Sequence, residues 1–175
     1  LFETVIKSHE RIHILVNNAG TSSAPEDIEN ISIEEMNYVL DVNLKAPFVL
    51  SQLALLHMKK AHWGRIINIS SIGIKFGGNP STVSYTVSKA ALEAMTIAFA
   101  KAGAPYNVLV NAIRVGVIDT KFHTHDPTKD LGQRAKLIPL GRTADPSEIA
   151  KTVEFLASEN ASFTTGSIVT TAGGE

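Results

Sequence analysis

The sequence contains no cysteine, which removes disulfides, zinc–thiolate sites and thiol nucleophiles at a stroke. The absence is compatible with a reducing compartment. An excess of one charge is missing too: 16 Lys and Arg stand against 17 Asp and Glu, a net charge of -1. Electrostatics therefore gives no reason to expect nucleic acid or an anionic membrane surface as a partner. No uninterrupted apolar run approaches the roughly 18 residues a membrane span needs. The opening, "LFETVIKSHER", has no basic segment followed by an apolar one, so it is not a signal peptide. It reads as the second half of an amphipathic helix. Also missing is any G-x-x-x-G-x-G or G-x-G-x-x-G turn, the usual cradle for a pyrophosphate at a helix N-terminus.

What is present suits one globular domain over residues 1–175, with 44% of the residues hydrophobic. "IHILVNN" (12–18) is a short apolar run ending in polar residues, the pattern of a strand buried on both faces. A capping box, Ser32 with Glu35, opens a long helix in which Pro47 should produce a bend near Asn43. "GRIINIS" (64–70) and "NVLVNAI" (107–113) read as two more strands, and "GSIVTT" as a last short one. Between them a helix runs from about Ser84 to Gly103, and another starts at Asp145 with Pro146 in its first turn. A long loop with a short helix fills 116–140. Strands alternating with helices of this length predict βαβ units and a parallel sheet covered on both faces.

In such sheets ligands bind at the carboxyl ends of the strands. The segments leaving those ends are "NNAG" (17–20), "SSIG" (70–73) and "RVGVIDT" (114–120), each small and polar after an apolar run. Any one of them could be an ordinary turn. Tyr85 and Lys89, however, lie one helical turn apart on the next helix, so a phenol and an ammonium can face the same spot.

Five blocks in order now resemble the short-chain dehydrogenase/reductase family: "NNAG", Asn43 in "DVNLKAPF", "INISS", "YTVSK" and "NAIRVGVIDT". The gaps are also similar to the family's, with 28 residues from Asn43 to Ser71 and 14 from Ser71 to Tyr85. The resemblance covers essentially the whole chain. It implies a Rossmann-like doubly wound α/β parallel sheet, of which about four strands and their helices, the C-terminal part, are expected here. The Gly-rich cofactor segment and about 70 to 90 residues of βα units would precede Leu1. Without them the apolar edge at 12–16 is left bare, and a chain beginning at Leu1 should bind dinucleotide poorly and be inactive as a fragment.

The resemblance also assigns roles. Tyr85 would be the general acid/base of an alcohol/carbonyl interconversion by hydride transfer, with NAD or NADP as cofactor. Lys89 would favour the phenolate and bind the nicotinamide ribose. Ser71 would hold the substrate oxygen, while Ser70 is structural, and Asn43 would hold a proton-relaying water. Asn17, Ala19 and Gly20 correspond to the turn lining the cofactor, and Val117, Ile118 and Thr120 to the segment clasping the carboxamide. Val115 stands where Pro is usual, a change expected to be tolerated. The stretch 124–136 corresponds to the substrate lid.

By this reading the partners are a small alcohol or carbonyl compound and further copies of the chain in a homodimer or homotetramer, in the cytoplasm. The branch it most resembles is that of 3-oxoacyl carrier-protein reductases. Alternatives are a nucleotide-sugar epimerase or dehydratase, which also pairs Tyr with Lys, and a non-catalytic dinucleotide sensor. "NNAG" argues against the first, and retention of Asn43, Ser71, Tyr85 and Lys89 against the second. His123 and His125 lack a third ligand nearby, and His9 and His13 do not share a helix face, so no metal is predicted.

Overall fold

A computed structural model describes residues 2–120 and 131–175. Its centre is a sheet of four parallel strands in the order β1-β2-β3-β4: β1 (Ile14–Asn17), β2 (Gly64–Ser71), β3 (Val108–Val115) and β4 (Ile168–Thr171). The helices are α1 (Phe2–His9), α2 (Ile33–Leu40), α3 (Ala46–Ala61), α4 (Val83–Gly103), α5 (Leu131–Leu137) and α6 (Pro146–Ala157). This is the Rossmann-like α/β pattern expected from the alternation of elements.

Alternation along β2 and β3 sends side chains to two different cores. Ile66, Val108 and Val110 pack with Ala54, Leu55 and Met58 of α3 and Ala100 of α4. Ile67 and Ile113 pack on the other face with Leu156 of α6 and Ala161. Both central strands are thus covered, which is why they read as continuous apolar runs.

β1 departs from its expected burial on both faces. Leu15 reaches the α3 core, but Ile14 and Val16 on the opposite face remain 45% and 38% exposed. The reason is geometric. α6 packs on β2 and β3, and among the described residues β1 pairs with β2 alone. Its other edge and one of its faces are uncovered.

The predicted long helix is present but interrupted. Ser32 caps α2, accepting the backbone N–H of Glu35 at 3.1 Å. At Asp41–Lys45 the winding loosens to a π turn before α3 resumes. Pro47 has no N–H to give the carbonyl at 43, so the break falls where the sequence requires one. It carries Asn43 fully inside the protein. By length and hydropathy alone the 29 residues of 33–61 could cross a bilayer. Asp41, Asn43 and Lys45 interrupt that run, and Pro47, Ser51, Ala54, Leu55 and Met58 of α3 are buried.

Asp145 caps α6 by accepting the N–H of Ser147 at 2.8 Å, and Glu148 reaches back to the N–H of Asp145 at 2.9 Å. That reciprocal box adds to the Asp-Pro start read from the sequence. At the amino ends of the strands Arg65 is fully buried. It donates to the carbonyls of Gly64 and Asn107 at 2.8 and 3.2 Å and stacks 4.4 Å from the centre of the Trp63 ring.

Candidate active site

The carboxyl ends of β1, β2 and β3 open into one cleft of about 970 Å³. Asn18, Ala19 and Gly20 line it from β1, and Ser71 from β2. Tyr85 and Lys89 line it from α4, and Val117, Ile118 and Thr120 from the segment after β3. Four stretches far apart in sequence meet there because parallel strands deliver their exits to the same edge of a sheet.

Ser71 ends β2 with extended backbone, and its hydroxyl accepts the N–H of Gly73 at 3.2 Å. The same hydroxyl is hydrogen-bonded to the Tyr85 phenol. Ser70 is fully buried and donates instead to Glu93, further along α4, at 2.7 Å. The loop between Ser71 and Tyr85 makes two short 3-10 turns, Ile72–Phe76 and Pro80–Thr82. Gly77 and Gly78 join them, both with positive φ. A Cβ on Gly78 would lie 1.9 Å from the Thr86 hydroxyl, so glycine lets this loop seat against the start of α4.

Lys89 is 3% exposed, with its ammonium 5.7 Å from the centre of the Tyr85 ring, donating to the carbonyl of Ile69 at 2.8 Å. Burial pushes its pKa down to about 8. Burial also raises the Tyr85 phenol above its ordinary value, and the bond from Ser71 opposes this without reversing it. The nearby ammonium therefore does not set the direction of the Tyr85 shift; desolvation of the phenolate does.

Asn43 holds a loop. Its Oδ1 accepts the N–H of Thr21 at 2.8 Å, while its Nδ2 donates to the Thr21 carbonyl at 2.8 Å and to Ser88 at 3.0 Å. It thereby pairs with a backbone unit as a neighbouring strand would. Gly20 sits directly above: a Cβ there would come within 3.3 Å of the Lys89 ammonium and 3.4 Å of Asn43. Asn17 does not line the cleft. Its side chain donates to Ser51 of α3 at 3.1 Å and to Asn68 of β2 at 2.7 Å, joining that helix to the sheet.

After β3, Val115 pairs with Thr171 and packs in the α6 core. Gly116 donates to the Thr171 carbonyl at 3.0 Å. A Cβ on Gly116 would lie 2.7 Å from the Cα of Ala172, so this crossing admits only glycine without a shift. His123 and His125, with the first part of the 124–136 lid, fall outside the described residues. The rest of that stretch lies in α5, whose Arg134 lines the cleft and pairs with Glu175. Among the described residues, no three His, Cys, Asp or Glu are grouped to hold a metal.

Sequence reasoning missed Asn18, which lies within the quoted "NNAG" but lines the cleft where Asn17 does not. It also missed Glu93, which pairs with Arg114 behind the site. The signal for Glu93 was available: it continues the 85, 89 spacing by one more turn, a charged residue on a face otherwise turned inward.

The site is thus a hydroxyl, a phenol and an ammonium gathered at the carboxyl edge of a parallel α/β sheet. The comparisons with known proteins supply the class. Residues 1–175 match the family model described as enoyl-(acyl carrier protein) reductase. The chain is 42% identical over 174 residues to the 3-oxoacyl-[acyl-carrier-protein] reductase FabG of Aquifex aeolicus, covering 99% of this chain and 69% of the relative. It is 37% identical over 172 residues to the enzyme of that name from Thermotoga maritima, covering 98% and 69%. A cyclopentanol dehydrogenase of a Comamonas species is 36% identical over 176 residues, covering 98% and 69%. The chain belongs to the short-chain dehydrogenase/reductase family, on a branch like that of the 3-oxoacyl reductases, and is an oxidoreductase.

Proposed function

We infer that the protein interconverts an alcohol and a carbonyl, with Tyr85 as general acid/base, Ser71 as the donor to the reacting oxygen and Lys89 as the cation beside them. The carrying observation is the convergence of these three side chains on one cleft whose other wall is the 117–120 segment. The residues present suit the nicotinamide half of NAD or NADP: Asn18, Ala19 and Gly20 on one side, Val117, Ile118 and Thr120 on the other. When bound, that group supplies or takes up the hydride.

The chain's own residues handle the proton and the charge. The Tyr85 phenol, kept neutral by burial, gives its proton to the carbonyl oxygen in the reductive direction. The Ser71 hydroxyl donates to the same oxygen and stabilises the negative charge that grows there. Lys89 holds its ammonium against the Ile69 carbonyl and offers its remaining N–H donors to the ribose and the phenolate. Asn43, whose amide is committed to Thr21 and Ser88, keeps the 19–21 turn in place. The printed names of two relatives suggest a 3-oxoacyl group on an acyl carrier protein as the carbonyl substrate.

Tyr85→Phe tests the assignment. Turnover should fall by about 10²- to 10⁴-fold, the range typical of losing a general acid, with cofactor binding intact. Turnover equal to the parent's would refute it.

A further inference from the structure

Behind the cleft, three charged or polar groups that no proton or hydride transfer requires are locked together. Glu93 lies on α4 two turns after Tyr85, about 12 Å along the helix. Its Oε1 accepts from the Ser70 hydroxyl at 2.7 Å and from Arg114 Nε at 2.8 Å, and its Oε2 accepts from Arg114 Nη2 at 2.6 Å. Glu93 is 7% exposed and Ser70 is fully buried. Ser70 and Arg114 face each other in the β2–β3 register.

We propose that Glu93 is the positioning residue of this site: its carboxylate fixes the Tyr85 helix against the ends of β2 and β3. The placement of the bonds carries the inference. Ser70 immediately precedes Ser71, and Arg114 immediately precedes the 115–120 segment that walls the cleft. One carboxylate thus ties the element bearing Tyr85 and Lys89 to the residue before the oxygen-holding hydroxyl and to the start of the cofactor wall. Burial alone does not call for this arrangement, because apolar residues of similar volume fill such a space at equal or better stability. A bidentate carboxylate–guanidinium pair adds direction instead. It resists rotation and sliding of α4, the motions that would part Tyr85 from Ser71.

The inference rests on the catalytic reading above, and the test separates the two. Single removal of Glu93 leaves Arg114 uncompensated, so the informative variant is the double Glu93→Leu/Arg114→Met, which replaces both charges together. It is measured on the protein as its gene encodes it, beside Ser70→Ala, Glu93→Gln and Tyr85→Phe. The double variant should melt within a few degrees of the parent, with KM within about threefold and kcat lowered about 10- to 100-fold, the scale for a misplaced reacting group. Its crystal structure should show Tyr85 and Ser71 out of hydrogen-bond reach.

Ser70→Ala and Glu93→Gln, each losing part of the anchor, should fall between parent and double variant in kcat. A stable double variant with the parent's kcat, or with the Ser71–Tyr85 bond intact, overturns the proposal. So does a loss of kcat matched by a rise in KM, the mark of general loosening. If the double variant does not fold, parental kcat in both Glu93→Gln and Ser70→Ala overturns it. An active Tyr85→Phe sinks the catalytic reading itself, whereas an inactive one beside a fully active double variant sinks only the role of Glu93.

Discussion

Lys89 sits in the protein at a cost that a substitution can reveal. It is 3% exposed, and burial lowers its pKa from 10.5 to about 8, so holding the charged form inside is unfavourable by about 3 kcal/mol. Lys89→Met keeps most of the volume and removes that penalty. It also deletes the bond to the Ile69 carbonyl, worth about 1 to 2 kcal/mol. The variant should therefore be more stable than the parent at pH 7 by about 1 to 2 kcal/mol, or about 3 to 6 °C in Tm for a chain of this size. Activity should be lost at the same time.

The pH dependence gives the argument its sharper edge. A lysine whose folded pKa lies below its unfolded one destabilises fully below about pH 8. The penalty fades as pH rises from 8 towards 10.5, because the unfolded chain then holds the proton that the folded chain has released. Tyr85, raised in the folded state, acts in the opposite sense above pH 10, and it is present in both proteins. The gap between variant and parent should therefore be widest at pH 7 and narrow between 8 and 10. Thermal denaturation of both proteins at pH 7, 8, 9 and 10 measures it. A variant less stable than the parent at pH 7, or a gap constant across that range, would refute the buried-charge account.

Asn43→Ala should cost about 2 to 4 kcal/mol in urea unfolding, because it removes the side-chain partner of both backbone groups of Thr21, while the Ser88 hydroxyl loses one bond and keeps the one to the Tyr85 carbonyl. A loss under about 1 kcal/mol would mean that the 19–21 turn is held by something else. For self-association, Phe48, Val49 and Leu56 on α3 and Val87 and Ile97 on α4 are each at least 40% exposed. Together they offer apolar area that a second copy could cover. Sedimentation should show a dimer or tetramer at micromolar concentration, and a monomer there would count against this surface.

How much of this was legible in the sequence depends on which kind of signal each feature leaves. β2 and β3 are buried on both faces, so they appear as apolar runs, and the Asp145–Pro146 start of α6 is a local instruction that needs no partner. The π turn was half legible. Pro47 announces a broken bond at residue 43, but nothing local says that the break will turn Asn43 inward to pair with Thr21. The burial of β1 was misread for a related reason. Its residues are apolar enough for an interior strand, and whether a second face is covered depends on neighbours that periodicity does not reveal.

α4 shows where reading by hydrophobicity fails altogether. Its buried residues are Ser84, Ser88, Lys89, Leu92, Glu93, Thr96, Ala100 and Gly103. Five of the eight are polar, so a search for an apolar stripe finds the wrong face. Three of the five are held by the sheet: Thr96 accepts from Asn68 at 2.8 Å, Glu93 holds Ser70 and Arg114, and Lys89 reaches Ile69. Ser88 accepts from Asn43 instead, and the Ser84 hydroxyl is buried without a hydrogen-bond partner. Burying such groups is unfavourable unless partners meet them, and for Lys89, Glu93 and Thr96 those partners come from β2 and β3, 20 to 28 residues away in sequence. The helix can therefore form its polar inner face only against this sheet, in this register. That requirement makes α4 a poor amphipathic helix by pattern, and it is also what lets one rigid element hold a phenol and an ammonium at fixed positions over the cleft.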